Sequence, residues 1–244
     1  VDILCTMLSD DTTVEGVCLS HGELSLPLRP DAVHLSHSTI SPGCVSRLVN
    51  AHQAKGVHFV TAPVLGRPDK AEQGALSVIL SGPEQATKKC QKVLEAISAR
   101  VFDMGSDPAM ASFAKLGMNY MLACAVEAMA ETFAMTRKAG IKPDAFLELV
   151  TETIFGAPVY NGYGPLVAHE VLEESGFRTT LSLKDVSLAA AAARSIGAEL
   201  PMSEPIRNQM KIAIDSGYAD KDWVSLAIIA ARAAGLPPIS KSEV

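Results

Sequence analysis

Short apolar runs alternate with amphipathic stretches over the first hundred positions, and beyond them only helical spacing remains. "VDILCTML" reads as a strand, and "DDTTVEGVCL" as a helix with acidic and hydroxyl residues at its start. "DAVHLSHST" is a second strand. The following "SPGCVSRLVNAHQAKG" predicts a helix with Ser41 as N-cap, Pro42 at its first position and Gly56 beyond its end. "VHFVTAPV" is a third strand, and "LSVILSG" and "RVFDMG" are further short strands separated by "GPEQATKKCQKVLEAIS" as a helix. Strands alternating with helices predict βαβ units and a mostly parallel sheet.

After "GSDPAM" the strand signals cease. Residues 107–139 read as one long helix ending at Gly140, and "KPDAFLELVTETI" as another. "FGAPVYNGYGP", rich in Gly and Pro, is expected to be a loop. "SLKDVSLAAAAARSIG" is expected to start a helix with Ser182 as N-cap and Asp185 as a helix-start acid at capping-box spacing. "MSEPIRNQMKIAIDSG" and "DWVSLAIIAARAAG" complete an all-helical second half, with the boundary near Asp107. The predicted domains are therefore 1–106, α/β, and 107–244, all-α.

One stretch of the long helix stands out. "FAKLGMNYMLACAVEAMAE" places Lys115 and Asn119 among Phe113, Leu116, Met118, Met121, Leu122 and Val126. Spacing of four puts the two polar side chains on one face, a turn apart. A charge in apolar surroundings costs free energy unless it is paired, neutralised or facing a wet cleft. In open α/β sheets ligands bind beyond the carboxyl ends of the strands, where "TMLSDD", "SHSTISP" and "APVLGRPD" fall. A cleft between the halves, faced by Lys115, is the expectation.

Composition narrows the partners. The chain has 244 residues, 48% hydrophobic and 20% charged, with a formal net charge of -6 and no basic run, which argues against nucleic acid or an anionic membrane surface. Five cysteines without a C-x-x-C pair or a His cluster argue against a disulfide framework or a structural metal site. No stretch is read as a transmembrane span and no targeting segment is visible, so a soluble protein of the cytoplasm, or of mitochondria, is expected.

"TML", "STISP", "APV-x-G", "AKLGMN" and "LKD" occur in the order and approximate spacing of the β-hydroxyacid dehydrogenase family. The chain resembles 3-hydroxyisobutyrate dehydrogenase and 6-phosphogluconate dehydrogenase over nearly its whole length. The resemblance implies a partial Rossmann-like domain with NAD or NADP as cofactor, followed by a helical substrate and dimerisation domain. It implies Lys115 as the catalytic acid/base, exchanging a proton with the substrate oxygen while hydride moves to or from the nicotinamide. Asn119 and Ser38 would position a small carboxylate or aldehyde substrate. Leu8, Ser9, Thr13, Thr39 and Lys184 would hold the nicotinamide end. Where many members have "APVSGG", this chain has Leu65, Gly66, Arg67 and Pro68, so Gly66 and Arg67 take the substrate-segment places. Arg67 there would offer a carboxylate a bidentate fork.

The G-x-G-x-x-G fingerprint expected ahead of "VDILCTML" is not in this sequence. Position 1 corresponds to the family's fourth strand. Two readings follow: a longer protein whose first segment lies outside this sequence, or a shortened paralogue serving as a non-catalytic subunit or scaffold. An imine reductase-like enzyme is a third, which the Lys115/Asn119 pair argues against. A homodimer or homotetramer through the helical half is implied under each.

Overall fold

The apolar runs of the first half become strands. β1 (Ile3–Thr6), β4 (Val33–Ser36) and β5 (His58–Thr61) form a three-stranded parallel sheet in the order β1-β4-β5. Thr6, Ser36 and Thr61 are in register at its carboxyl end. Between β1 and β4 run α1 (Asp11–Cys18) and a two-residue hairpin, β2 (Leu19–Ser20) with β3 (Glu23–Leu24), which the sequence reading missed. The computed structural model describes residues 1–172 and 176–239. It separates them into one unit of residues 1–118 with 191–197 and another of residues 119–190 with those from 198 onward.

In the first unit, α2 (Pro42–Gln53) starts as its sequence dictates: the Ser41 side chain accepts from Cys44 N and Pro42 occupies the first turn. A second sheet joins β6 (Val64–Leu65), β7 (Leu76–Leu80) and β8 (Ser98–Asp103). Its β6–β7 pair is antiparallel and its β7–β8 pair parallel, so the expected mostly parallel sheet carries one reversed ribbon. The short α3 (Pro68–Glu72) links β6 to β7, and the helix foreseen before β8 is two, α4 (Glu84–Lys89) and α5 (Gln91–Ile97), meeting at Cys90. One sheet face packs Val33, Leu35, Val60 and Val78 against Ala86 and Leu94. The other packs Phe59 against Val14, Cys44 and Leu48.

That second face also buries two histidines. His52 Nδ1 donates to Leu48 O at 2.6 Å, His34 Nδ1 to His52 Nε2 at 2.9 Å, and Thr6 Oγ1 to His34 Nε2 at 2.8 Å. The carbonyl can only accept, so the direction of every proton in the chain is fixed. Burial pushes the His34 imidazole down to about 3, with His52 adding to the effect, and both rings are neutral links.

α6 (Ala109–Lys138) is the long helix expected from 107 to 139. Gly140 beyond it has φ +91, the backbone sense that ends helices. Among the described residues α6 is long and apolar enough to cross a membrane by length and composition, contrary to the sequence expectation. Its buried Lys115, Asn119 and Glu127 and its core contacts mark a helix packed in protein. In the second unit, Ala123, Val126, Met129 and Phe133 of α6 pack against Val186, Ile206, Met210 and Trp223. The Trp223 ring meets Tyr163 and Phe177 edge-on, with centroids 5.7 and 5.2 Å away.

α7 (Pro143–Thr151) is followed by α8 (Pro158–Ala168), where a loop was expected. Pro158 at the first turn costs no hydrogen bond. A Cβ on Gly164 would stand 2.8 Å from Leu147 Cδ1, so this glycine marks close packing on α7 rather than a break. α9 (Thr179–Ser195) begins three residues before Ser182. Ser182 is no cap: its Oγ donates to Thr179 O at 2.8 Å. α10 (Ser203–Ala213) and α11 (Ser225–Ala233) follow.

Glu127 generates a pH prediction. Burial, with Glu131 adding, pushes its carboxyl up to about 7, and one of its oxygens has no hydrogen-bond partner among the described residues. The folded state then holds more protons than the unfolded one above the ordinary glutamate value of about 4.3, so stability falls as pH rises from there to about 7 and stays low beyond. Glu127→Gln is expected to raise the melting temperature by several degrees at pH 8 and by much less at pH 4.5. Equal shifts at both pH values would locate the cost elsewhere.

Candidate functional site

At the carboxyl end of β1 the chain turns into α1 through Met7, Leu8, Ser9 and Asp10. Asp10 is the N-cap, its Oδ1 accepting from Thr13 N at 2.8 Å. Ser9 Oγ donates to Asp10 Oδ2 at 2.7 Å and lies 3.2 Å from Thr13 Oγ1. Leu8 N donates to Ser38 Oγ at 2.8 Å, which ties this turn to the end of β4. Asp11 strengthens the tie by accepting from Ser41 N at 2.9 Å and Ser41 Oγ at 2.5 Å. Leu8, Ser9, Thr13 and Ser38 are thus brought together, and Thr39, half-buried, adjoins Ser38. Ser36 Oγ and Thr61 Oγ1, in register at the same sheet end, are buried without a hydrogen-bond partner among the described residues.

The segment Ala62–Pro63–Val64 has all three carbonyls engaged. Ala62 O accepts from His37 Nδ1 at 2.8 Å, Pro63 O from Ile79 N at 2.9 Å, and Val64 O from Lys115 Nζ at 2.8 Å. Lys115 is 8% exposed, so its ammonium is largely withdrawn from water and held on a named acceptor. It gets there because the start of α6 is anchored: Ala109 N donates to Asp107 Oδ1 at 2.9 Å, Ala111 N to Ser81 Oγ at 2.9 Å, and Ser81 Oγ to Pro108 O at 2.9 Å. Gly66 follows β6 with φ +141, and a Cβ there would meet Leu76 Cδ2 at 2.7 Å, so this turn requires glycine. Arg67 precedes Pro68 at the start of α3, half-buried.

In the second unit Asn119, 5% exposed, sits one turn beyond Lys115 on α6. Its Nδ2 donates to Asp185 Oδ2 at 2.5 Å. Asp185 Oδ1 lies 3.0 Å from Lys184 Nζ, an ion pair by distance without an aligned hydrogen bond. Asp185 is the seventh residue of α9 and 2% exposed. It is not the helix-start acid that the capping-box spacing suggested. A carboxylate accepts only, so the Asn119 amide orientation is fixed. Lys184, three-quarters buried, is joined to Asn119 through this carboxylate.

Sequence reasoning overlooked Asp185 as a partner of Asn119, and it overlooked His37. A histidine inside the polar strand end "SHSTIS", and an acid directly after Lys184 ahead of the apolar run in "SLKDVSLAAAAA", were the available signals.

Comparison with known proteins identifies the family. Residues 1–105 match the model for the NAD-binding domain of 6-phosphogluconate dehydrogenase. Residues 109–230 match that for the NAD-binding domain of NADP-dependent 3-hydroxyisobutyrate dehydrogenase. The chain is 39% identical over 225 residues to an uncharacterized oxidoreductase, YfjR, of Bacillus subtilis, covering 92% of this chain and 78% of that one. It is 27% identical over 228 residues to the NAD-dependent L-serine dehydrogenase of Pseudomonas aeruginosa, covering 91% and 76%. The fold matches a solved 3-hydroxyisobutyrate dehydrogenase from Salmonella typhimurium with a TM-score of 0.83 at 24% identity, over 94% of this chain and 79% of that one. The dinucleotide bound by the N-terminal domain is NAD or NADP. With both halves matched in order, and a relative at 39% identity spanning nearly all of the sequence, the chain belongs to the 3-hydroxyisobutyrate dehydrogenase-like family of NAD(P)-binding oxidoreductases.

Proposed function

We propose that this protein interconverts a small β-hydroxy acid and the corresponding oxo acid or semialdehyde. The observation that carries the reading is Lys115: an ammonium withdrawn from water, held on Val64 O, with Asn119 one helical turn away. Residues 1–106 would form the cofactor-binding part and 107–244 the part that completes the substrate site.

The residues present fit the nicotinamide half of a dinucleotide. Asp10 already caps α1 and brings negative charge to its N-terminus, which disfavours a phosphate there and favours a ring that is cationic when oxidised. The Leu8–Ser9 turn and the Thr13 and Thr39 hydroxyls supply polar groups around that mouth. Lys184 is the remaining residue proposed to contact the cofactor. When bound, the nicotinamide supplies or accepts hydride.

Lys115 would hold the proton exchanged with the substrate oxygen and stabilise the negative charge that develops on it. Lysine suits this because its ammonium titrates readily in a desolvated place. Asn119, pinned by Asp185, would orient the substrate beside that oxygen, with Ser38, Gly66 and Arg67 facing its carboxylate. Association of two or more copies through the helical half is part of the same reading. Met118, Met121 and Met135, which α6 leaves exposed, support it.

Lys115→Ala is expected to lower kcat for carbonyl reduction by about 10²- to 10⁴-fold, with nucleotide affinity close to that of the parent. Steady-state rates on short semialdehydes would measure it, and a variant as fast as the parent would sink the assignment. Titration with NADH and NADPH, followed by nicotinamide fluorescence, should saturate with one nucleotide at the lower concentration. Lys184→Ala should weaken that binding about tenfold, a loss of roughly 1.4 kcal/mol. Unaltered affinity would remove Lys184 from the cofactor site.

A further inference from the structure

His37 belongs to neither the cofactor turn nor the acid/base assignment, yet it is tied to Ala62, two residues before the Val64 that holds Lys115. Successive carbonyls of an extended chain point to opposite sides, and those two residues apart point to the same side, spaced roughly 6 to 7 Å. The segment obeys this alternation. Ala62 N and Ala62 O both face β4, to Ser36 O and His37, while Pro63 O turns to Ile79 on β7. Val64 O turns back and receives Lys115. His37 Nδ1 and Lys115 Nζ therefore donate to carbonyls on the same side of one short extended segment, within one unit.

The anchor also decides the chemistry of the ring. Ala62 O can only accept, so the proton of the neutral imidazole is on Nδ1 and Nε2 carries a lone pair. Nε2 makes no hydrogen bond among the described residues, and it is not among the fully enclosed polar atoms that lack one. Burial lowers the basicity of the ring, and only the Ala62 contact works against this, so the ring is an acceptor at neutral pH.

Resting on the oxidoreductase reading above, we propose that His37 is a specificity-determining residue: its Nε2 accepts a hydrogen bond from a second hydroxyl or ammonium group of the substrate, beside the oxygen that Lys115 serves. The substrate class narrows accordingly, from any small β-hydroxy acid to those bearing a further donor next to the reacting carbon. A site built around an unpaired acceptor discriminates strongly against an analogue that lacks the donor, because the acceptor then stays desolvated and empty.

Glycerate and 3-hydroxypropionate share a three-carbon skeleton and differ by the 2-hydroxyl, so their ratio is the readout. It is taken twice with the full chain, as kcat/KM and as equilibrium binding by calorimetry to nucleotide-saturated protein. The parent is expected to prefer glycerate by about tenfold or more in both. His37→Asn keeps an N–H where Nδ1 stands and removes the acceptor, and should bring the ratio near one. His37→Gln places an amide oxygen near the Nε2 position and should retain most of the preference. His37→Met, which removes both groups, should match His37→Asn and serves if that variant fails to fold. A parent without the preference, or a preference that survives in His37→Asn and His37→Met, overturns the proposal. A parallel fall for both acids would make His37 a packing residue. A rise confined to the KM of the nucleotide would assign the donor to its carboxamide and overturn the substrate assignment. Preferred binding of glycerate through His37 without oxidation of either acid would keep this inference and sink the oxidoreductase reading.

Discussion

An ammonium group withdrawn from water needs an acceptor within hydrogen-bond reach, and in the first unit one is Val64 O, 2.8 Å from Lys115 Nζ. Much of the local architecture follows from that requirement. β6 must begin where the Val64 carbonyl faces Lys115 of α6, and Pro63 just before it has no N–H to compete as a donor. The start of α6 must not slide, and Ser81 and Asp107 fix it through backbone amides. Gly66 must take a backbone sense closed to other residues so that the chain can leave β6 without displacing Leu76.

The same rule governs the second unit with the signs exchanged. There a carboxylate is the buried charge, and Asp185 is met by the amide of Asn119 and the ammonium of Lys184. Taking such groups out of water costs several kcal/mol each unless partners are well placed. Their value lies in orientation: an asparagine amide that could present either end is left with one arrangement. The Thr6–His34–His52 chain repeats the device with neutral groups, its polarity set by Leu48 O.

Local rules were enough where a residue acts on its own neighbours. Ser41 caps α2 because hydroxyl, proline and the following apolar period agree, and α6 is legible because its thirty residues hold no proline and a single glycine, Gly117. They failed where a distant partner decides. "FGAPVYNGYGP" has the composition of a loop, but Gly164 is there for the closeness of Leu147 and the segment from Pro158 is helical. Asp185 has capping-box spacing from Ser182, yet α9 starts earlier and the carboxylate turns to a residue sixty-six positions away. β2 and β3 are too short to show a period of two. His37 shows its bearing only once Ala62 O is seen to fix its tautomer.

Lys115 and Asn119 are set by a common ruler, the continuous backbone of α6. Each residue of an α-helix advances about 1.5 Å and turns about 100°. Adding or deleting one residue between the two would swing one side chain to a different flank while leaving both identities intact. Tolerance to mutation is therefore lopsided in this stretch. Exchanges of Leu116, Gly117 or Met118 alter packing by degrees, whereas a single-codon insertion or deletion among them erases the phase between ammonium and amide at once. Evolution of new substrates in such a protein is confined to point substitution along α6, and changes of length are left to segments that no shared ruler measures.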